Sequence, residues 1–128
     1  MARRTAMGDG LPPAAGPYSH VAMSARTIYS SGQGGADATG RLDADIAVQC
    51  GQCFANVFAA LAAGGASERD VVKMTVYLTA IEHFPAMNEA YAKAFTAPYP
   101  ARTTVYVALP PGMLIEADAI AVTQEAQQ

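Results

Sequence analysis

The stretch "YPARTTVYVALPPG" (99–112) places a permanently charged guanidinium, Arg102, at the start of a run that otherwise alternates like a strand. With period two, Arg102, Thr104 and Tyr106 share one face, and Thr103, Val105 and Val107 take the other. Further on, "LIEADAIAV" (114–122) puts Glu116 and Asp118 on one face of a second strand. If the two strands are neighbours, an arginine, a hydroxyl and a carboxylate converge on one patch. A guanidinium grips a carboxylate through two parallel hydrogen bonds, and a nearby glutamate can move a proton or orient a water. The same residues also fit an ordinary cross-strand ion pair, worth only about 0.2–1 kcal/mol. Pattern alone leaves both readings open.

Other reactive side chains point less clearly to chemistry. "QCGQC" (49–53) contains Cys-x-x-Cys, but both cysteines fall inside a helical apolar stripe. A redox pair needs a low-pKa thiol at a helix N-terminus, so Cys50 and Cys53 read as core residues. Two thiols are also too few for a zinc site. His20 and His83 belong to no metal-spaced or triad-like pattern, and Ser30-Ser31 lacks the G-x-S-x-G elbow. "GQGG" (32–35) lacks the G-K-[ST] ending of a phosphate loop. No metal, nucleotide or other cofactor is therefore expected.

Several elements must hold these groups. "GDGLPPAAGP" (8–17) reads as an entry loop, followed by short strands over 18–25 and 27–32 with Arg26 between them. The polar, glycine-rich 32–41 reads as a loop. From about 45 to 63 the period turns helical, with Ile46, Cys50, Cys53, Phe54, Val57, Phe58 and Leu61 on one stripe. Asp43 and Asp45 are candidate caps, and Gly64-Gly65 ends the helix. Residues 70–80 alternate again, with Val72, Met74, Val76 and Leu78 predicted to point one way. A second helix spans about 85–96, with Phe84, Met87, Tyr91 and Phe95 on one face, and strands follow over 102–108 and 114–122. This order predicts an α+β fold: a mixed sheet with two helices packed on one face, the other face left open.

The 128 residues predict one domain over 1–128, with 1–11 flexible or forming a short strand. Apolar residues make up 52% and charged residues 15%, which favours burial against copies of the same chain. A net charge of −3, with no basic run after Arg3-Arg4, argues against nucleic acid or an anionic membrane as partner. No membrane-spanning segment and no secretory signal are expected, which makes the cytoplasm the default location.

Seven stretches in order resemble the reactive-intermediate deaminase family, also called Rid or YjgF. They are "GPYSH" (16–20), "SSGQ" (30–33), Gln49 with Asn56, "VVKMTVYL" (71–78), "FPAMNEAYAKAF" (84–95), "PAR" (100–102) and "LPPGMLIEADAIAV" (109–122). The resemblance covers about residues 12–123. It implies a chorismate-mutase-like fold and a homotrimer with ligand sites in the clefts between subunits. It also implies hydrolysis of 2-imino or enamine acids to 2-keto acids and ammonia. Carried over residue by residue, Arg102 would clamp the substrate carboxylate and Glu116 would serve the water or a proton. Tyr18, Ser31, Gly32, Asn88 and Thr104 would help to bind the substrate.

Three departures stand out against that pattern. Thr104 replaces the cysteine found in many deaminases, the segment before Leu109 is one residue short, and "GQGGADATG" is short and lacks the usual proline. Two further functions fit the same residues: hydrolysis of a larger, aminomuconate-like enamine, and non-catalytic binding of a small 2-keto or amino acid by a trimer.

Overall fold

A computed structural model describes residues 2–124; residue 1 and residues 125–128 of the expected 1–128 domain lie outside the described residues. The strands are β1 (Arg4–Ala6), β2 (Val21–Ser24), β3 (Thr27–Ser30), β4 (Gln33–Gly34), β5 (Val71–Leu78), β6 (Ala101–Tyr106) and β7 (Ile115–Val122). The helices are α1 (Ile46–Ala63) and α2 (Phe84–Ala94). The sheet runs β1-β2-β3-β7-β5-β6, with β4 paired to β7 beside β3. Among the described residues only β5 and β6 pair in parallel, as expected for strands joined by a helical crossover through α2.

The start of α1 is capped by Asp45, whose carboxylate accepts from Ala47 N at 2.7 Å and Val48 N at 3.3 Å. Its end is closed by Gly65 at φ 89°, where Ala66 N donates to Leu61 O. α1 has the length and mean hydropathy (18 residues, 1.5) of a membrane-crossing helix, although the sequence predicts no membrane-spanning segment. Its apolar stripe is instead packed on the sheet: Cys50, Cys53, Phe54, Val57 and Leu61 are buried against Val21, Ile28, Ala117 and their neighbours. α2 adds Met87 and Tyr91 to the same layer. Both helices thus cover one sheet face, and the other face carries partly exposed side chains.

Three local features differ from the sequence-based expectation. The loop 32–41 contains β4, which the sequence signals missed because two residues carry no period. A register shift between Val71 and Lys73 buries Val71 and turns Val72 outward, 50% exposed. Such a bulge adds one residue and breaks the period-two rule at the strand's first turn. Strands β6 and β7, adjacent in sequence, are not neighbours in space, because β5 lies between them.

Candidate functional site

Cross-strand partners share a sheet face, so the register locates each side chain. Arg102 and Thr104 pair with Met74 and Val76 of β5, both buried under the helices. Glu116 and Asp118 pair with Tyr77 and Thr75, on the opposite face. The convergence expected for neighbouring strands therefore does not occur within one chain. Arg102 lies on the helix side of the sheet, and Glu116 on its open side.

Arg102 is half-buried at the start of the edge strand β6. Its guanidinium carbon lies 4.7 Å from the ring centroid of Tyr91 and 5.7 Å from that of Phe84. Nη1 also approaches the sulfur of Met87 at 3.7 Å. These contacts fix the group by cation–π attraction and packing, and they leave its charge uncompensated. Among the described residues the one ion pair is Lys93–Glu89, so no carboxylate neutralises Arg102. Asn88, on α2, lines the same cavity of about 350 Å³ with Tyr91, Ala92, Tyr99 and Pro100. Tyr91 is buried, and its hydroxyl has no hydrogen-bond partner among the described residues. Burial pushes that hydroxyl's pKa up to about 12, with nearby Arg102 acting the other way. Thr104, half-buried one pleat further along, does not line the cavity.

A second opening of about 360 Å³ gathers Tyr18, Ser31, Gly32 and Glu116. The Glu116 carboxylate rests directly against Gly32, where any side chain at 32 would collide with it. Glycine at 32 leaves the carboxylate its present place; a larger residue would push the Glu116 side chain aside. Burial raises the Glu116 pKa above the usual carboxylate range, and the charge of Asp118 adds to the shift. Asp118 itself accepts from the Tyr77 hydroxyl at 2.8 Å. Ser31 Oγ donates to Ser19 O at 2.6 Å, and its backbone N–H donates to His20 O at 2.9 Å. His20 ties the entry loop down, with Nδ1 accepting from Gly8 N at 2.9 Å and Nε2 3.1 Å from Pro12 O. Tyr18 projects from this loop and is 45% exposed.

The seven residues singled out in the sequence thus divide into two groups. Arg102 and Asn88 share one cavity; Tyr18, Ser31, Gly32 and Glu116 share another; Thr104 lies near the first.

Backbone segments beside the second group are held by a buried polar edge of α1 that the helical stripe did not reveal. Gln49 is fully buried; its Nε2 donates to Asp43 O and Gly112 O, both at 2.7 Å, and its Oε1 accepts from Leu114 N at 2.9 Å. Asn56 Nδ2 donates to Gly34 O at 2.9 Å and to Ala36 O at 2.7 Å, and the Cys53 thiol reaches Gln33 O at 3.1 Å. Both amides replace water for backbone groups that would otherwise be buried unpaired. The available signal was an amide pair at i, i+7 (Gln49, Asn56) beside the apolar positions. Cys50 and Cys53 are buried free thiols whose pKa values are raised by burial, the first to about 11, the opposite of what a redox pair needs.

Comparison with known proteins adds a further set of observations. A family model described as "Endoribonuclease L-PSP" matches residues 10–123. A 2-iminobutanoate/2-iminopropanoate deaminase of Capra hircus is 40% identical over 125 residues, covering 95% of this chain and 91% of its own. The crystal structure of RidA from an Antarctic Psychrobacter superposes with a TM-score of 0.89 at 38% identity, covering 94% of this chain and 99% of that one. The structure of E. coli TdcF with bound serine does so with a TM-score of 0.89 at 34% identity, covering 94% and 99%.

Proposed function

The chain belongs to the Rid/YjgF family, and from that premise we propose that it is a deaminase hydrolysing reactive 2-imino acids to 2-keto acids and ammonia. The observation that carries the reading is Arg102: a half-buried guanidinium held on two aromatic rings, with no carboxylate partner among the described residues, at the wall of a cavity. An uncompensated charge so placed favours an anionic ligand, and a planar fork fits a carboxylate. The names of similar deaminases and the serine bound to TdcF agree with a small amino-acid-derived ligand.

The separation of Arg102 from Glu116 gives the homotrimer a mechanistic role. In this reading each cleft takes Arg102 and Asn88 from one subunit and Tyr18, Ser31, Gly32 and Glu116 from its neighbour. Arg102 holds the substrate carboxylate, which sets the imine carbon near Glu116. A water oxygen adds to that carbon, the C=N electron pair moves to nitrogen, and nitrogen gains a proton. Glu116 orients the water and relays the proton, and burial raises its pKa from the ordinary carboxylate value. The hydroxyl proton of the resulting carbinolamine passes to its amino nitrogen as the C–N bond breaks and the C=O bond forms, releasing ammonia and the 2-keto acid. Thr104 lies on Arg102's face and takes no proton in this scheme.

Such imines already hydrolyse in water, so positioning and one proton relay supply a sufficient acceleration. The endoribonuclease named in the family description fits poorly: with a net charge of −3 the chain offers an RNA backbone little attraction. The test is to generate 2-imino acids in situ from amino acids and to follow ammonia and 2-keto acid with and without the protein. Acceleration is expected; an unchanged rate across all imines, by a correctly folded protein, overturns the reading.

A further inference from the structure

The Glu116 opening continues into a larger cavity of about 390 Å³, and Tyr18, Gly32 and Glu116 line both. The far wall is made of Pro12, Pro13, Leu42, Pro110 and Met113. We propose that this cavity is a side-chain subsite, and that the preferred substrates are 2-imino acids with large apolar side chains, branched or aromatic. The proposal rests on the deaminase reading above and names its substrate class.

Two physical arguments support it. The first is size and chemistry. Cavities of roughly 300–1,000 Å³ accommodate ligands far larger than a three- or four-carbon acid. The methyl or ethyl side chain of 2-iminopropanoate or 2-iminobutanoate would leave most of this space in contact with apolar walls and nothing to bury. A leucine- or phenylalanine-derived side chain would remove those walls from water.

The second argument is preorganisation. Both walls of the cavity are held by the buried amides of α1. Gln49 fixes Gly112 O and Leu114 N on either side of Met113, and Asn56 fixes Gly34 O and Ala36 O. Gly34 leaves the Met113 methyl its place: a Cβ at 34 would lie 2.6 Å from Met113 Cε. A methionine wall adapts to side chains of different shape. The cavity is therefore a standing feature of the fold, open at one end to the proposed catalytic carboxylate.

The test combines turnover with binding of products. Imines made from alanine, 2-aminobutyrate, leucine and phenylalanine are compared by kcat/KM, for the wild type and for Ala36→Leu, which narrows the cavity from a position outside the proposed catalytic set. Leucine- and phenylalanine-derived imines should be favoured by at least about tenfold over the alanine-derived one. Ala36→Leu should lose that advantage while changing turnover of the alanine-derived imine little. Binding of 4-methyl-2-oxopentanoate, phenylpyruvate and pyruvate, followed by calorimetry, should show the same order and the same loss. Equal kcat/KM for all four imines, or an Ala36→Leu variant with unaltered preference, overturns the subsite. No hydrolysis of any imine, with the larger keto acids still bound more tightly and Ala36→Leu abolishing that difference, would sink the deaminase reading and leave the subsite standing. No size preference in either measurement overturns the subsite whatever the turnover.

Discussion

Arg102 and Glu116 stand on opposite faces of one sheet, with β5 between their strands and its buried Met74 and exposed-side Tyr77 as their respective partners. A substrate small enough to be held by one arginine cannot reach through a sheet to a carboxylate behind it. Any reaction that uses both groups must use them from two different chains.

Light scattering should accordingly give about three times the 13.3 kDa chain mass. Co-expression sharpens the point. Arg102→Ala and Glu116→Gln should each be nearly inactive alone. Random assembly of equal amounts should restore activity in about a quarter of all clefts, roughly one in each mixed trimer. If the mixture stays as inactive as its parents although the two variants co-assemble, the site is not shared between subunits.

Arg102→Ala should cost about 2–5 kcal/mol of transition-state binding, roughly thirty-fold to several thousand-fold in kcat/KM. The helix layer beneath it should survive, because Tyr91, Phe84 and Met87 remain packed. Arg102→Lys should rescue little, since an ammonium lacks the planar fork. Wild-type kcat/KM in Arg102→Ala would reduce the arginine to a surface charge.

Glu116 carries a pH signature in both activity and stability. Its folded pKa is raised, so the unfolded chain loses this proton first, and stability falls as pH rises through the window from the ordinary carboxylate range to the raised value. Glu116→Gln should therefore melt at a higher temperature than wild type near neutrality, and the difference should vanish in acid. Turnover in the variant should fall by about 10²–10⁴-fold if the carboxylate relays a proton. A wild-type pH–rate profile with no acidic limb would count against that role.

The two thiols should be dispensable for chemistry. Cys50→Ala removes a buried sulfur, and Cys53→Ala also removes the donor to Gln33 O. Each should cost about 1 kcal/mol in a denaturant titration. Turnover by the folded double variant should stay close to wild type. Loss of activity in a double variant that still assembles would give the pair a chemical role.

The elements were legible wherever a period ran long enough to be counted. The α1 stripe from Ile46 to Leu61 and the alternation of β7 repeat often enough for burial to follow from spacing alone. Strand order was not legible, because β6 and β7 follow one another and look like a hairpin. What separates them is the crossover through α2, which delivers β6 parallel to β5 and leaves β5's other edge to β7. The candidate residues were visible by type. Their division between two faces depends on this order and so required the structure. Gln49 and Asn56 escaped a reading based on apolar spacing because buried amides earn their place through hydrogen bonds rather than burial of carbon.

Hydrogen bonds tie Gln49, Cys53 and Asn56 to backbone atoms of residues 33, 34, 36, 43, 112 and 114. A bond to a main-chain carbonyl or amide is indifferent to the side chain that residue carries. The helix can therefore keep its grip on these segments while the neighbouring side chains at positions such as Leu42 or Met113 change. In evolutionary terms, the molecule separates what must stay in place from what is free to drift, so that substrate preference can diverge among descendants without rebuilding the scaffold.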